Sequence, residues 1–268
     1  MNGTVGIHTK PPFIDALNVQ KVLNLPSFQQ ILTDAENLVK FEHPDVSREA
    51  LSNVRGSWYE WLISLGFLEF RQNHPNSKYL LQLPNISQYD CSKLYVQRIY
   101  SYIVDLRAKV AATADVSLIT SNPDFVIING DANIALPNIT SGGVTAIDLA
   151  KLSQTYLLAE HSCLLDDITG YVAVKLSLRP DRRLQIAHEG SLMKAIYKHV
   201  QTREWLINAP GIQYYALTAA ASNSDRQALK TVATHSVTDV GSIPQAAVDE
   251  LFCVDSGAEL QQILSEIL

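Results

Sequence analysis

The sequence predicts an α/β domain in which a central mixed β-sheet is flanked by helices. Apolar side chains recur at three- and four-residue steps in the first part of the chain, which indicates amphipathic helices. Short apolar runs typical of strands alternate with helical patterns in the second part. With 268 residues the chain can bury a large core. We therefore expect one domain over residues 1–268, with a helical part at about 1–112 packed on a sheet core at about 113–268.

The helical part contains two predicted amphipathic helices. Ser27 is a suitable N-cap for a helix that runs to Phe41. A second helix is expected from about Ser47 to Phe67, with its apolar residues at helical spacing. At roughly 100° per residue, Glu60 lies nearly opposite the centre of that apolar stripe. Glu60 is therefore either exposed to solvent or directed at something other than the core.

The rest of the chain is predicted to alternate between strands and helices. A loop at 70–90 and a helix from about 92 to 112 come first. The predicted strands lie at 116–120, 124–129, 171–178, 212–219 and 231–237. Further helices are expected at about 146–161, 184–200 and 245–268.

Several classes of protein are excluded by the absence of their signals. The sequence has no run of eighteen apolar residues and no basic-then-apolar leader, so we expect a cytoplasmic protein without a membrane partner. Cys91, Cys163 and Cys253 show no CxxC spacing, so we expect packed thiols and neither a disulfide framework nor a zinc site. The motifs HExxH, GxxxxGK(S/T) and GxSxG are missing, which leaves no visible machinery for zinc proteolysis, nucleotide hydrolysis or serine hydrolysis.

Charge is distributed unevenly along the chain. The net charge of −6 argues against general binding of polyanions. Between Gly170 and Trp205, however, seven basic residues stand against three acidic ones, so this window carries +4 and the remainder carries −10. A local basic site on an acidic body suits a protein that binds phosphates in one cleft. A solvated helix face is the alternative interpretation, and charge alone favours it.

The basic window contains the end of a predicted strand. Apolar and polar residues alternate there, so that Lys175 is expected to point out of the sheet. Arg179 and the run Asp181–Arg183 follow at once, and Glu189 lies in the early turns of the next helix. A charged loop whose aspartate caps that helix is the alternative. It does not account for three guanidinium groups at a helix N-terminus, where the macrodipole disfavours cations.

Acidic residues near this strand end suit a divalent cation. Such a cation helps phosphodiester hydrolysis by neutralising phosphate charge and by lowering the pKa of the attacking water. Mg2+ prefers carboxylate oxygens and keeps several waters, so two or three acids suffice. Asp124 and Glu189, with Glu60 from the second helix, could supply the acids, and Lys175 could hold the phosphate or orient the water. Taken alone, Asp124 fits a turn or strand-start cap better, and Glu60 fits a solvated helix face equally well.

The arrangement resembles the PD-(D/E)XK nucleases, and within them the type II restriction endonucleases that cut sequences built on a CCGG core. Pro123 and Asp124 resemble the PD of the pattern, and Lys175 is similar to its lysine. The general pattern has an acid two residues before the lysine, where this chain has Ala173. In the CCGG group the second acid stands on a helix fourteen positions after the lysine, and Glu189 occupies that place.

Two further elements of the CCGG group have counterparts here. The group carries Arg-x-Asp-Arg starting four residues after the lysine, and residues 179–182 read Arg-Pro-Asp-Arg. It also carries a glutamate on an early helix as an additional metal-site acid, which resembles Glu60. The group often has serine at the position of Ala173, and this departure bears on the fine structure of the metal site.

The resemblance implies a restriction-endonuclease-like core and Mg2+-dependent hydrolysis of double-stranded DNA at a palindromic site with a CCGG core, leaving 5′ overhangs. A symmetric site requires two copies of the chain, so a homodimer is the minimal unit, and the group also includes tetramers. A cognate DNA methyltransferase is implied as a functional partner. In the major groove, arginine pairs with guanine and a carboxylate accepts from cytosine. The implied catalytic residues are Asp124, Lys175, Glu189 and Glu60, with the three acids as metal ligands; the implied DNA-binding residues are Arg179, Asp181, Arg182 and Arg183. Lysines of the basic window such as Lys194 and Lys198 are expected to contact phosphates.

Two alternative functions are also compatible with these residues. The first is that of a different PD-(D/E)XK enzyme, such as a repair or junction nuclease, which shares the metal acids but does not need the Arg-x-Asp-Arg string. The second is that of a non-catalytic DNA-binding protein that uses the basic strand end, in which Asp124 and Glu189 are structural. Mg2+-dependent nicking of plasmid DNA separates both kinds of enzyme from the non-catalytic protein. Discrete fragments separate a restriction enzyme from a repair or junction nuclease.

Overall fold

The computed structural model describes residues 9–114, 118, 122–132, 134–137, 143–238 and 243–268. The helices are α1 (Lys10–Leu17), α2 (Phe28–Glu42), α3 (Arg48–Asn73), α4 (Gln97–Ala114), α5 (Ala146–Leu152), α6 (Pro180–Arg203), α7 (Asn223–Leu229) and α8 (Gly257–Ile267). The strands are β1 (Tyr79–Gln82), β2 (Phe125–Ile128), β3 (Ile168–Lys175), β4 (Gln213–Thr218) and β5 (Glu250–Cys253). Tertiary contacts group the chain into two compact units, one helical and one built on the sheet.

The helical unit contains α1, α2, α3, α5 and α8. Helix α2 begins at the predicted cap, where Ser27 Oγ accepts a hydrogen bond from Gln30 N at 3.3 Å. Helix α3 likewise begins after Ser47, and it continues six residues beyond the predicted end at Phe67 to Asn73. The extra length is stabilised by burial of further apolar residues in that last part of the helix.

Close approaches between segments of the helical unit depend on glycine. A Cβ atom at Gly66 would lie 2.4 Å from Leu260 Cδ2, and one at Gly257 would lie 2.3 Å from the backbone carbon of Leu23. A hydrogen bond from a buried aromatic residue adds to this packing: Tyr59 OH donates to Val254 O at 2.6 Å. Helix α3 is thus held against α8 and the segment that precedes it.

The sheet unit is a mixed five-stranded sheet in the order β1-β2-β3-β4-β5. Strands β1, β2 and β3 pair antiparallel, whereas β3, β4 and β5 pair parallel. Every residue of β2 is buried, and β3 is buried along most of its length, as expected for strands covered on both faces. Helix α6 packs on β4 and also contacts α4 and α7. The predicted α/β class with a central mixed sheet is confirmed, and the predicted packing of a helical part on a sheet core stays a prediction.

Two predicted segments are wrong in type. Residues 70–90 were predicted as a loop, but they contain β1, whose four-residue run between Pro75 and Pro84 is too short to show a period. Residues 231–237 were predicted as a strand, but Thr234–Val237 forms a short 3-10 helix. That turn is closed locally, since Ser236 Oγ donates to Ala233 O at 2.7 Å.

Two predicted helices are shorter than expected. The helix predicted at 146–161 ends at Leu152 and is followed by a separate 3-10 helix, Thr155–Ala159. The segment predicted as helical at 245–268 contains the strand β5, and within that segment only α8 is helical. A four-residue apolar run cannot be distinguished from a buried helix turn by periodicity. The predicted strand at 116–120 lies outside the described residues, apart from Leu118.

The described residues include no helix that is long and apolar enough to cross a membrane. The three cysteines are free thiols: Cys91 and Cys163 are buried, and Cys253 is half-buried. The expectation of packed thiols is therefore confirmed for Cys91 and Cys163.

Candidate active site

Asp124 and Lys175 meet where β2 begins and β3 ends. The antiparallel register pairs Phe125 with Val172, which brings the residue before β2 beside the end of β3. Asp124 Oδ2 accepts hydrogen bonds from Val174 N at 2.5 Å and from Lys175 Nζ at 2.8 Å. Both side chains of the ion pair are about one-fifth exposed, so the pair opens to solvent on one side. Asp124 and Lys175, which are fifty-one positions apart in the sequence, thus form one ion pair.

Asp124 also has a structural role. Its backbone carbonyl accepts from Leu83 N at 2.9 Å, next to the end of β1, while its side chain holds the β3 backbone at Val174. These hydrogen bonds agree with the alternative interpretation of Asp124 as a cap at the start of a strand. The hydrogen bonds to Val174 and Lys175 both use Oδ2, and Oδ1 takes part in neither.

Glu189 is a buried carboxylate on α6. Only 5 % of the residue is exposed, and its two oxygens accept from different elements. Tyr214 OH, from β4, donates to Oε2 at 2.8 Å, and Gln185 Nε2, one turn earlier on α6, donates to Oε1 at 3.3 Å. A buried carboxylate requires such partners, because removing an ionised group from water is costly without them.

Besides burial, the charges of the two predicted metal acids, Asp124 and Glu189, both raise the pKa of Tyr214. Burial is the main cause that raises the pKa of Tyr214 well above its ordinary value. The negative charge of Glu189 and the hydrogen bond to it add to this effect, and the charge of Asp124 adds further. Asp124 is hydrogen-bonded to Lys175, and Glu189 is hydrogen-bonded to Tyr214.

The donor set fits a hard divalent cation. Among the residues that the structure describes, no three His, Cys, Asp or Glu side chains are grouped closely enough to hold a metal ion. Two carboxylates, Asp124 and Glu189, remain as candidate ligands. This set suits Mg2+, which is commonly bound by one or two carboxylates together with waters and substrate phosphates. It does not suit zinc, which prefers a closed set of nitrogen and sulfur ligands.

Glu60 lies on α3 in the helical unit and is half-buried. Its neighbours Tyr59 and Trp61 are buried, so Glu60 lies off the apolar face as the sequence predicted. Its membership of the metal site stays a prediction.

A substitution at Glu60 distinguishes the two roles that the sequence left open. If Glu60 contributes to the metal site, Glu60→Ala is expected to slow cleavage several-fold and to leave the thermal unfolding temperature nearly unchanged, because the residue lies off the core. The measurement is single-turnover cleavage beside a thermal melt, with the exposed Glu42→Ala as the matched control. A large loss of stability with normal cleavage would assign Glu60 a structural role.

Arg179 and Asp181 form an exposed pair at the start of α6. Arg179 is the N-cap residue, and Pro180 occupies the first turn. Arg179 Nη2 lies 3.5 Å from Asp181 Oδ2, and the two side chains are 64 % and 68 % exposed. An ion pair this exposed contributes little to stability, so both groups are available to a ligand. Arg182 is half-buried, and its Nη1 donates to Ser177 O at 3.3 Å.

Arg183 and Lys194 have partners within the protein. Arg183 Nη1 donates to Asp225 Oδ1 at 2.7 Å, and Asp225 also belongs to the capping box that begins α7. Lys194 is 3 % exposed and donates to both oxygens of Asp249 at 2.7 Å. The expectation that Lys194 contacts phosphates is therefore wrong, because its ammonium is buried against Asp249. DNA contact by Arg183 and by the exposed Lys198 stays a prediction.

The sequence did not reveal Tyr214, Asp225 or Asp249 as parts of this region. Tyr214 was predicted only as one residue of a strand, and twenty-five positions separate it from Glu189. No local spacing links these positions. Their roles follow from the parallel pairing of β3, β4 and β5, which brings distant segments beside α6.

Comparison with known proteins assigns the chain to one family. The chain matches the Cfr10I/Bse634I restriction endonuclease family over residues 10–268. It is 38 % identical over 255 residues to the type II restriction enzyme Cfr10I of Citrobacter freundii, covering 92 % of this chain and 89 % of that protein.

Solved structures agree with the sequence match. A structure of the Bse634I restriction endonuclease superposes with a TM-score of 0.86 at 28 % identity, covering 100 % of this chain and 94 % of the other. The crystal structure of the type IIF restriction endonuclease Bse634I with cognate DNA gives a TM-score of 0.81 at 28 % identity, over 96 % of this chain and 92 % of the other. The chain therefore belongs to the Cfr10I/Bse634I restriction endonuclease family and is a type II restriction enzyme, an endonuclease that acts on DNA.

Proposed function

We propose that this enzyme uses Mg2+ to hydrolyse double-stranded DNA at a palindromic site with a CCGG core, leaving 5′ overhangs. The observation that carries the proposal is the partly exposed ion pair of Asp124 and Lys175 at 2.8 Å, and the buried carboxylate of Glu189 on α6 supports it. Carboxylates that hold a metal ion, together with a lysine, can supply the groups for metal-assisted phosphodiester hydrolysis.

Asp124 and Glu189 are proposed to hold the metal ion. When bound, the ion would neutralise charge on the scissile phosphate and lower the pKa of the attacking water. Lys175 Nζ, fixed beside Asp124, is placed to donate to a phosphate oxygen or to the attacking water. The partial exposure of Asp124 and Lys175 gives the phosphate access to these groups. Ala173 stands where the general pattern has its second acid, and Glu189 on α6 is proposed to supply that acid instead.

Base recognition is proposed for Arg179, Asp181 and Arg182. An arginine can pair with guanine O6 and N7, and a carboxylate can accept from cytosine N4, so an Arg-x-Asp-Arg string suits adjacent G·C pairs. The exposure of Arg179 and Asp181 supports this role. Arg183 is also proposed to contact DNA. Its ion pair with Asp225 gives it a second role, which is to hold the start of α6 against α7.

Recognition and cutting are proposed to be coupled through α6. Arg182 and Glu189 are seven residues apart on this helix, so they lie on one face about 10 Å apart along its axis. Gln185 lies between them on that face and donates to Glu189. A shift of the first turn of α6 on DNA would therefore move Glu189 as well. A rigid helix of this kind joins the base-reading groups to the metal acid.

The assembly is proposed to be a homodimer, since a palindromic site presents two equal half-sites to two copies of the chain. A tetramer built from two such dimers is the alternative assembly. A DNA methyltransferase that modifies the same sequence is proposed as the functional partner, because a nuclease of this specificity would otherwise cut its host's DNA.

Plasmid digestion tests the proposal against its alternatives. We expect supercoiled DNA to be converted in Mg2+ into discrete fragments, and to remain intact in EDTA. A smear in Mg2+ would indicate a nuclease without sequence preference, such as a repair or junction enzyme. Binding without nicking in Mg2+ would indicate a non-catalytic DNA-binding protein.

A further inference from the structure

Glu189 and the strand that faces it are joined by two separate sets of bonds. Tyr214 OH donates to Glu189 Oε2 at 2.8 Å. The backbone of the same tyrosine is held by Asp249, because Tyr214 N donates to Asp249 Oδ2 at 2.6 Å and Asp249 N donates to Tyr214 O at 2.8 Å. Lys194, five residues after Glu189 on α6, donates to both oxygens of Asp249. The side chain and the backbone of Tyr214 are thus both fixed to α6.

The packing between α6 and β4 sets how closely the phenol approaches Glu189. Gly190 follows Glu189, and a Cβ at that position would lie 2.9 Å from Tyr214 Cδ1 and 2.2 Å from Ala247 O. Any larger residue there would force α6 away from the tyrosine ring. Tyr214 itself is fully buried, so its hydroxyl is shielded from bulk water and is held in one place.

We infer that Tyr214 is the positioning residue of the metal site, which orients the Glu189 carboxylate so that it can bind the divalent cation. This inference rests on the proposed role of Glu189 as a metal ligand. A hydroxyl that donates to Oε2 fixes the rotation of the carboxylate, and it thereby fixes the directions from which a cation can approach the two oxygens. Outer partners of this kind commonly change metal affinity by about 10- to 100-fold when they are removed.

The matched test compares Tyr214→Phe with Tyr197→Phe. Both changes remove one phenolic hydroxyl that donates to a carboxylate in the sheet unit, since Tyr197 OH donates to Asp166 Oδ1 at 3.2 Å. Mn2+ binding to the enzyme on a duplex containing the CCGG core is measured by electron paramagnetic resonance, and the Mg2+ concentration for half-maximal single-turnover cleavage is measured separately. Circular dichroism and the unfolding temperature verify that each variant is folded.

We expect Tyr214→Phe to weaken Mn2+ binding by about tenfold, to raise the half-maximal Mg2+ concentration by a similar factor, and to cleave close to the wild-type rate when metal is saturating. Tyr197→Phe is expected to match the wild type in all three. Equal metal binding by the two variants would overturn the inference.

A double-mutant cycle separates positioning from general support. In a Glu189→Gln background, Tyr214→Phe is expected to cause no further loss of Mn2+ binding, because the ligand that it orients has been removed. The same fold loss in both backgrounds would show that Tyr214 acts through the fold, and would overturn the inference. Unchanged Mn2+ binding by Glu189→Gln alone would instead contradict the proposed function of Glu189.

Discussion

The substitution Asp124→Asn is expected to lower the single-turnover cleavage rate by at least about a thousandfold and to leave specific DNA binding intact. Metal-assisted charge stabilisation supplies several kcal/mol to the transition state, and each 1.4 kcal/mol corresponds to about tenfold in rate. The amide oxygen of asparagine can still accept from Val174 N, which keeps the junction of β2 and β3 in place. Cleavage is measured in Mg2+, and binding to the cognate duplex is measured in EDTA by electrophoretic mobility shift.

The control for this substitution is Asp166→Asn, which removes an exposed carboxylate of the same unit that accepts from Tyr197. It is expected to cleave and bind as the wild type does. Cleavage by Asp124→Asn at the wild-type rate would remove Asp124 from the mechanism. Loss of binding together with cleavage would mean that its bonds to β3 are the main role of the residue.

The second large effect is expected in sequence discrimination. Each bidentate contact between an arginine and guanine contributes about 1–3 kcal/mol of preference over the wrong base. Arg179→Ala and Arg182→Ala are therefore each expected to abolish the preference for G·C at one position of each half-site. The measurement is binding of each variant to the cognate duplex and to duplexes substituted at every position of the core.

Lys198→Ala provides the contrast, because Lys198 is exposed on α6 and is proposed to contact phosphate only. It is expected to weaken binding to all duplexes equally. The slope of the logarithm of the binding constant against the logarithm of salt concentration is expected to fall by about one. If Arg179→Ala and Arg182→Ala behaved in the same way, both arginines would be phosphate contacts. The assignment of a CCGG core would then lose its main support.

The sequence predicted the fold best where a regular apolar pattern extended over many residues. Helix α2 with its Ser27 cap was predicted within one residue because its apolar pattern extends over several turns, and the strand that contains Tyr214 was predicted within one residue from its run of strand-forming residues. Strand β2, whose four residues are all apolar, was predicted, whereas β1 and β5 were missed, since a polar residue takes one of the four places in each. Their place in the sheet is determined by pairing with distant strands, which no local pattern expresses.

The sequence was also informative about the site, but unequally for its parts. Asp124 and Lys175 were singled out by motif spacing, and the structure joins them at 2.8 Å. The buried partners of the charged residues on α6 were not predicted, because Asp225 and Asp249 are distant in the sequence. Counting charges therefore overestimated the basic surface: Lys194 is buried with Asp249, and Arg183 is paired with Asp225.

Mapping the ends of the DNA fragments tests the central claim most directly. A sequenced plasmid is digested to completion in Mg2+ with the wild-type enzyme, and both strands of every end are sequenced before and after polymerase fill-in. The account predicts that every end lies at a palindrome containing CCGG, and that each end carries a 5′ overhang. Ends scattered over unrelated sequences, or ends confined to a site without a CCGG core, would contradict the assignment of Arg179, Asp181 and Arg182 as the residues that read the core.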